Sequence, residues 1–249
     1  MLVSDRAAGV ALGLLAALVG GSWQVMTRQS ASTTLAPQDL VILRYGIPAL
    51  LLAPFWWRSG LRPAGVPAWR LALIVGGAGL PFGALAIGGA ALAPAAHMGV
   101  LMAGAGPLFT AALAMLLWRE RPGRIRSAGL GLMALAVALL GAGTLAGWQP
   151  AHATGDAMFL LAAALWTVFA LALRGSGLGP WQAAALVNVW SALGVAAWVL
   201  ARGGTTLLQA PLPHLMQQAL WQGVLAGVVG LWAFNAAVAR LGAPGAAAF

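Results

Sequence analysis

The chain has 249 residues, 61% of them hydrophobic and 7% charged, with 34 glycines, no cysteine and a mean hydropathy of +0.90. These values exclude a soluble globular domain, and the missing cysteine excludes a disulfide framework, a thiolate metal site and a cysteine nucleophile. A formal net charge of +9 would point to nucleic acid in a soluble protein, so the placement of the charges along the chain has to decide.

Crossing about 30 Å of hydrocarbon takes roughly 20 apolar residues in a helix. The hydropathy pattern predicts eight complete spans, near residues 6–27, 38–57, 69–91, 94–118, 126–146, 155–174, 180–201 and 216–238, with a ninth starting near 242. The lipid bilayer is therefore the solvent of this all-α chain. No small-residue cleavage site follows the first span, which reads as a retained anchor. One face of that span carries Gly9, Gly13, Ala16 and Gly20, and Gln24 and Thr27 continue it with polar groups. Such a stripe lets helices approach closely, and its polar end is a candidate cavity lining.

The second span holds "QDLVILRYGIPALLL", with Arg44 and Tyr45 well inside an apolar run. Asp39 is five residues from Arg44, about 140° around a helix, and is poorly placed to pair with it. Two readings stand: an arginine snorkelling outward to water, or a cavity arginine facing an anionic group on a bound solute. Pro48 cannot donate to the Arg44 carbonyl and bends the helix there. In the fourth span Gly99, Ala103, Gly106 and Thr110 form another stripe, Pro107 predicts a bend, and His97 sits in the first turn. Trp23, Trp166, Trp190 and Trp232 lie away from span ends, and Gln24, Asn188, Gln222 and Asn235 are polar groups within spans. Aromatic walls with a few amides suit a small organic ligand. The candidate substrate-binding residues are Arg44, Tyr45, Trp23, Gln24, His97, Trp166, Asn188 and Trp190. Asp5, Asp39, Glu120 and Asp156, the four acids, all fall at predicted span ends.

Every basic residue is arginine, and with these spans ten collect on one side: Arg6, Arg58, Arg62, Arg70, Arg119, Arg121, Arg124, Arg126, Arg174 and Arg240. Arg28 and Arg202 fall on the other. By the positive-inside rule the N-terminus is cytoplasmic, and the charge reports topology rather than a nucleic-acid partner. Trp56, Trp57, Trp69, Trp118 and Trp148 fall at span ends, where an interfacial aromatic belt belongs.

"LLAALVGGSWQVMTR" (Leu14 to Arg28) lies over "LLAAALWTVFALALR" (Leu160 to Arg174) at an offset of 146, and "PFGALAIGGAALAPAAHMG" (Pro81 to Gly99) over "LWAFNAAVARLGAPGAAAF" (Leu231 to Phe249) at 150. The two matches keep order and nearly the same offset, which indicates a duplication of a five-span unit. Because five is odd, the second copy runs inverted, which places a binding site near the midplane between the halves.

The segment from Ala93 to Gly141, with mid-helix Pro107, Glu120 closing its helix, a basic turn and a glycine-rich next helix, resembles the fourth and fifth helices of the EamA-type branch of the drug/metabolite transporter superfamily. "GDAMFLLAAALWTVFALALR" (Gly155 to Arg174) looks like that family's sixth helix, and "LRYGIPALLLAP" (Leu43 to Pro54) like its arginine-bearing second. The resemblance implies a ten-span fold of two inverted five-helix repeats, over residues 1–146 and 155–249 here. Phe249 aligns with Gly99, so the second repeat lacks its last one and a half helices and about eight and a half spans remain; the chain reads as incomplete. The resemblance further implies an inner-membrane secondary transporter that exports or exchanges a small metabolite, amino-acid-like or drug-like, by alternating access.

No GxxxxGK[ST] loop is present, "GAGTLAG" (Gly141 to Gly147) has the wrong spacing for a dinucleotide loop, and no His/Asp/Glu cluster offers metal ligands or an acid/base pair. The reading is thus no enzyme, no cofactor, no metal, and a small-molecule substrate as partner. The competing readings are an integral membrane enzyme acting on a lipid-linked substrate, which needs a carboxylate or histidine pair at the interface, and a helper subunit that moves no solute.

Overall fold

The computed structural model describes residues 3–33, 35–119 and 122–249. Glu120 and Arg121, and the side chain of Trp118, lie outside the described residues. Hydrocarbon offers no partner for a free N–H or C=O, so an apolar run closes its own hydrogen bonds as a helix. Among the described residues seven helices are long and apolar enough to cross a membrane, and a pair bent by 66° makes an eighth.

The first span is α1 (Val3–Ala31) and the second is the bent pair α2 (Pro37–Leu51) and α3 (Ala53–Ser59). The third is broken into α4 (Ala68–Ala78) and α5 (Leu80–Leu92). The fourth runs through α6 (Ala95–Met98), a π-helical segment Gly99–Ala103 and α7 (Gly104–Trp118). Next come α8 (Arg124–Ala146), α9 (Pro150–Leu173) and α10 (Pro180–Arg202). The eighth joins α11 (Leu212–Gln218), a π-helical segment Ala219–Gly230 and α12 (Leu231–Leu241), and the predicted ninth is represented by one turn, α13 (Ala243–Ala246). The sixth span starts earlier than hydropathy placed it, because Pro150 opens the helix from its first turn, where a missing N–H costs nothing. Asp156 is consequently inside the helix and buried, not at a span end.

Third-span α4 and α5 pack along sixth-span α9, while first-span α1 packs along α12 and the π segment of the eighth. The second and seventh spans pack on each other through α2 and α10. Glycine makes the third-to-sixth contact possible: a Cβ on Gly77 would stand 2.7 Å from the Leu165 carbonyl oxygen, and one on Gly155 2.7 Å from the Cβ of Ala93. On the rim, α8 buries none of its described residues, and Leu132, Leu135 and Leu139 stand exposed.

Polar links tie each end of the bundle. At one end Arg70 Nη1 donates to the Gly175 carbonyl at 2.8 Å and Arg126 Nη2 to that of Pro244 at 3.2 Å. At the other, Thr205 and Thr206 both donate to the buried Asp39 carboxylate, and Arg28 Nη1 donates to the Ala90 carbonyl at 2.7 Å. The arginine-rich loops thus share one end, as the charge distribution predicts.

Candidate functional site

The break in the third span sets up the site. At Gly79 the backbone leaves the helix, and Pro81 lies in the first turn of α5. The interruption frees backbone groups that lipid cannot satisfy. Neighbouring spans do so: the Tyr45 hydroxyl donates to the Gly79 carbonyl, with that of Ala78 3.2 Å away, and Leu80 N–H donates to Ser191 Oγ at 2.9 Å. Tyr45 is therefore the pin of the broken span. It is fully buried and lies outside the cavity lining, next in sequence to a residue that faces inward.

That residue is Arg44. It lines a cavity of about 360 Å³ to which α1 contributes Trp23 and Gln24, α5 Phe82, the fourth span Met102 and Thr110, α9 Trp166 and α12 Phe234. Arg44 is 4% exposed, buried rather than extended to the surface. Its Cζ lies 5.3 Å from the Trp23 ring centroid and 5.7 Å from that of Tyr45, within cation–π range. Nε and Nη1 are buried with no hydrogen-bond partner.

Trp23 is held in turn by a polar chain: its Nε1–H donates to Gln222 Oε1 at 2.6 Å, and Gln222 Nε2 donates to Thr27 Oγ1 at 2.8 Å. With the indole N–H committed, the ring face is what Trp23 offers. From it an aromatic series runs around the wall, Trp23 to Phe82 at 6.3 Å between centroids, Phe82 to Trp166 at 5.0 Å and Trp166 to Phe234 at 4.8 Å.

The small-residue stripes divide into two uses. Gly9 packs against Leu241, whereas a Cβ on Gly20, Gly21 or Gly106 would meet nothing within 4 Å, and these three glycines line the open space. Pro107 also lines it, four residues after the end of the π segment, where its ring would crowd the Ala103 carbonyl of a regular helix. The altered winding accommodates that conflict, and π segments concentrate at functional sites.

Of the sequence-derived candidates, Trp23, Gln24, Arg44 and Trp166 come together on the cavity. Asn188 does not line it; Nδ2 donates to the Gly227 carbonyl at 3.1 Å and ties α10 to the eighth span. Trp190, 39% exposed, faces outward and donates from Nε1 to the Leu61 carbonyl at 3.0 Å. Trp232 stacks on Trp181 with centroids 4.9 Å apart. His97 lies outside the lining and places Nδ1 2.8 Å from Asp156 Oδ1, while Thr144 Oγ1 donates to Asp156 Oδ2 at 2.8 Å. Phe82 and Phe234 line the cavity and were not singled out by sequence; an isolated phenylalanine in an apolar helix carries no signal of which way it faces. Among the described residues no group of three or more His, Cys, Asp or Glu could hold a metal ion.

Apolar spans packed around a partly polar cavity, with π-wound and broken helices on its wall, make this a multi-pass membrane protein with a cavity among its spans. Residues 7–142 match the EamA-like transporter family, and the chain belongs to it, within the drug/metabolite transporter superfamily. A search of curated proteins found no match.

Proposed function

We propose that this transporter is a secondary carrier of the cell's inner membrane that exports or exchanges a small metabolite by alternating access between two inverted halves. The observation that carries it is the cavity itself: a chamber walled by aromatic rings and reached by one buried guanidinium, on helices whose regular winding is interrupted. Broken helices around a central site are how such carriers bind a solute in a nonpolar medium. The span pairing supports the inverted halves. Under an exchange of each span with the one five later, the first-to-eighth contact becomes the sixth-to-third, and the second-to-seventh contact maps onto itself. The clustering of arginines at one end supports a cytoplasmic N-terminus.

Neither competing reading gains from the geometry. An enzyme acting on a lipid-linked substrate needs an activated nucleophile or an acid/base pair. His97 and Asp156 do form a pair that their separation of 59 residues conceals. Yet the hydroxyl beside them, Thr144, donates to the carboxylate instead of the imidazole. Nucleophile activation requires the imidazole in the middle, and here the carboxylate is.

The test loads vesicles containing the full chain with an isotope-labelled metabolite extract, places the same extract unlabelled outside so that exchange can run, and follows loss of label by mass spectrometry. Release of at least one solute beyond protein-free vesicles is expected; retention of all of them overturns the carrier reading.

A further inference from the structure

Resting on that carrier reading, we propose that the cavity takes a small organic anion, a carboxylate-like group on an aromatic or apolar body, and that Arg44 holds the anion. A guanidinium presents its donors in a plane, in a fork that matches two oxygens. In Arg44 Nε and Nη1, one donor from each of the two forks Nε/Nη2 and Nη1/Nη2, are buried without an acceptor. The Trp23 and Tyr45 rings lie within cation–π range of the guanidinium but take up neither of these donors, so both are left for a ligand.

Among the described residues no acidic side chain lines the cavity or pairs with those donors. Asp39 is engaged by Thr205 and Thr206, and Asp156 by His97 and Thr144. Neither lines the cavity, whose other polar side chains, Gln24 and Thr110, are neutral. A solute ammonium would therefore enter a positively charged chamber with no acidic side chain among the described residues to meet it, which disfavours amines outright and zwitterions relative to simple anions. Trp23, Phe82, Trp166 and Phe234 supply the wall on which a flat apolar body rests.

Four probes with one body separate the charge types: hydrocinnamate, phenylalanine, hydrocinnamamide and 3-phenylpropylamine. Binding to the full chain in phosphatidylcholine vesicles is measured by titration calorimetry, and movement by counterflow. Hydrocinnamate should bind about tenfold or more tighter than the amide, which lacks the charge-assisted fork, and than phenylalanine, whose ammonium loses water without an acid to meet it, with the amine weakest. In Arg44→Gln the preference should collapse, with the amide least affected; Arg44→Lys should retain charge selectivity but lose affinity. The wild-type ranking alone is decisive if either variant fails to fold: amine or zwitterion binding as tightly as the anion overturns the proposal. An anionic lipid headgroup presents the same two oxygens, so vesicles with added phosphatidylglycerol form a further arm. Unchanged hydrocinnamate affinity supports the organic anion, and loss by about tenfold or more through competition at the fork overturns it. Anion-selective binding with no counterflow of any solute would remove the carrier reading and leave the ligand class standing. Counterflow without charge preference would do the reverse.

Discussion

His97 and Asp156 meet at 2.8 Å although they belong to the fourth and sixth spans, and Thr144 of the fifth closes on the same carboxylate. Three helices are thus joined at one buried acid. Removing it in Asp156→Ala takes the acceptor from the half-buried imidazole, while Thr144 Oγ1 can turn to the Leu140 carbonyl 3.2 Å away, a loss of about 1 kcal/mol. Asp156→Asn keeps an acceptor oxygen and should cost less. Melting curves in detergent should rank wild type, asparagine, alanine from most to least stable; an alanine variant as stable as wild type would show that the junction does not hold the spans.

Glycines offer a second test, because the structure separates those that pack from those that do not. Gly77→Ala and Gly155→Ala push a methyl group to 2.7 Å from atoms of the facing span, and each should destabilise by about 1–3 kcal/mol. A Cβ on Gly129 or Gly131 in α8 meets nothing within 4 Å, so alanine there should be neutral or slightly stabilising. The same melting assay decides, and equal effects at both pairs of sites would contradict the packing.

Hydropathy made the spans legible because every one has to be long and apolar. Residue type alone also exposed Arg44, since an intramembrane charge needs a reason. What it hid was direction. Trp190 and Trp166 are equivalent as letters, but one faces outward and the other lines the cavity, a distinction set by how α9 and α10 rotate against their neighbours. The pair His97–Asp156 was invisible for two reasons: its members are 59 residues apart, and the sixth helix starts at Pro150, ahead of the apolar run that signals it.

Asp39 is the clasp between the second span and the loop after α10. Its oxygens accept from Thr205 and Thr206, and hydrogen bonds to a charged group contribute about 1.5–3 kcal/mol. Asp39→Ala should release that loop and speed its cleavage by protease added on its own side, while Asp39→Asn gives an intermediate rate. A cleavage rate unchanged in Asp39→Ala would rule the clasp out.

Topology can be read with single cysteines, since the chain has none of its own. Ser59→Cys, beside the arginine-rich loop, should react with an impermeant maleimide only from the cytoplasmic side. Gln149→Cys, exposed ahead of α9, should react only from outside. The reverse pattern would invert the orientation.

The central claim is that one cavity opens in turn to each face of the membrane. Ala103 lines it and is exposed within the fourth-span π segment. In oriented vesicles the Ala103→Cys variant should react with impermeant maleimide added to either side alone, and saturating hydrocinnamate should slow both reactions. Modification confined to one side under every condition, or equally fast with hydrocinnamate present, would contradict the account.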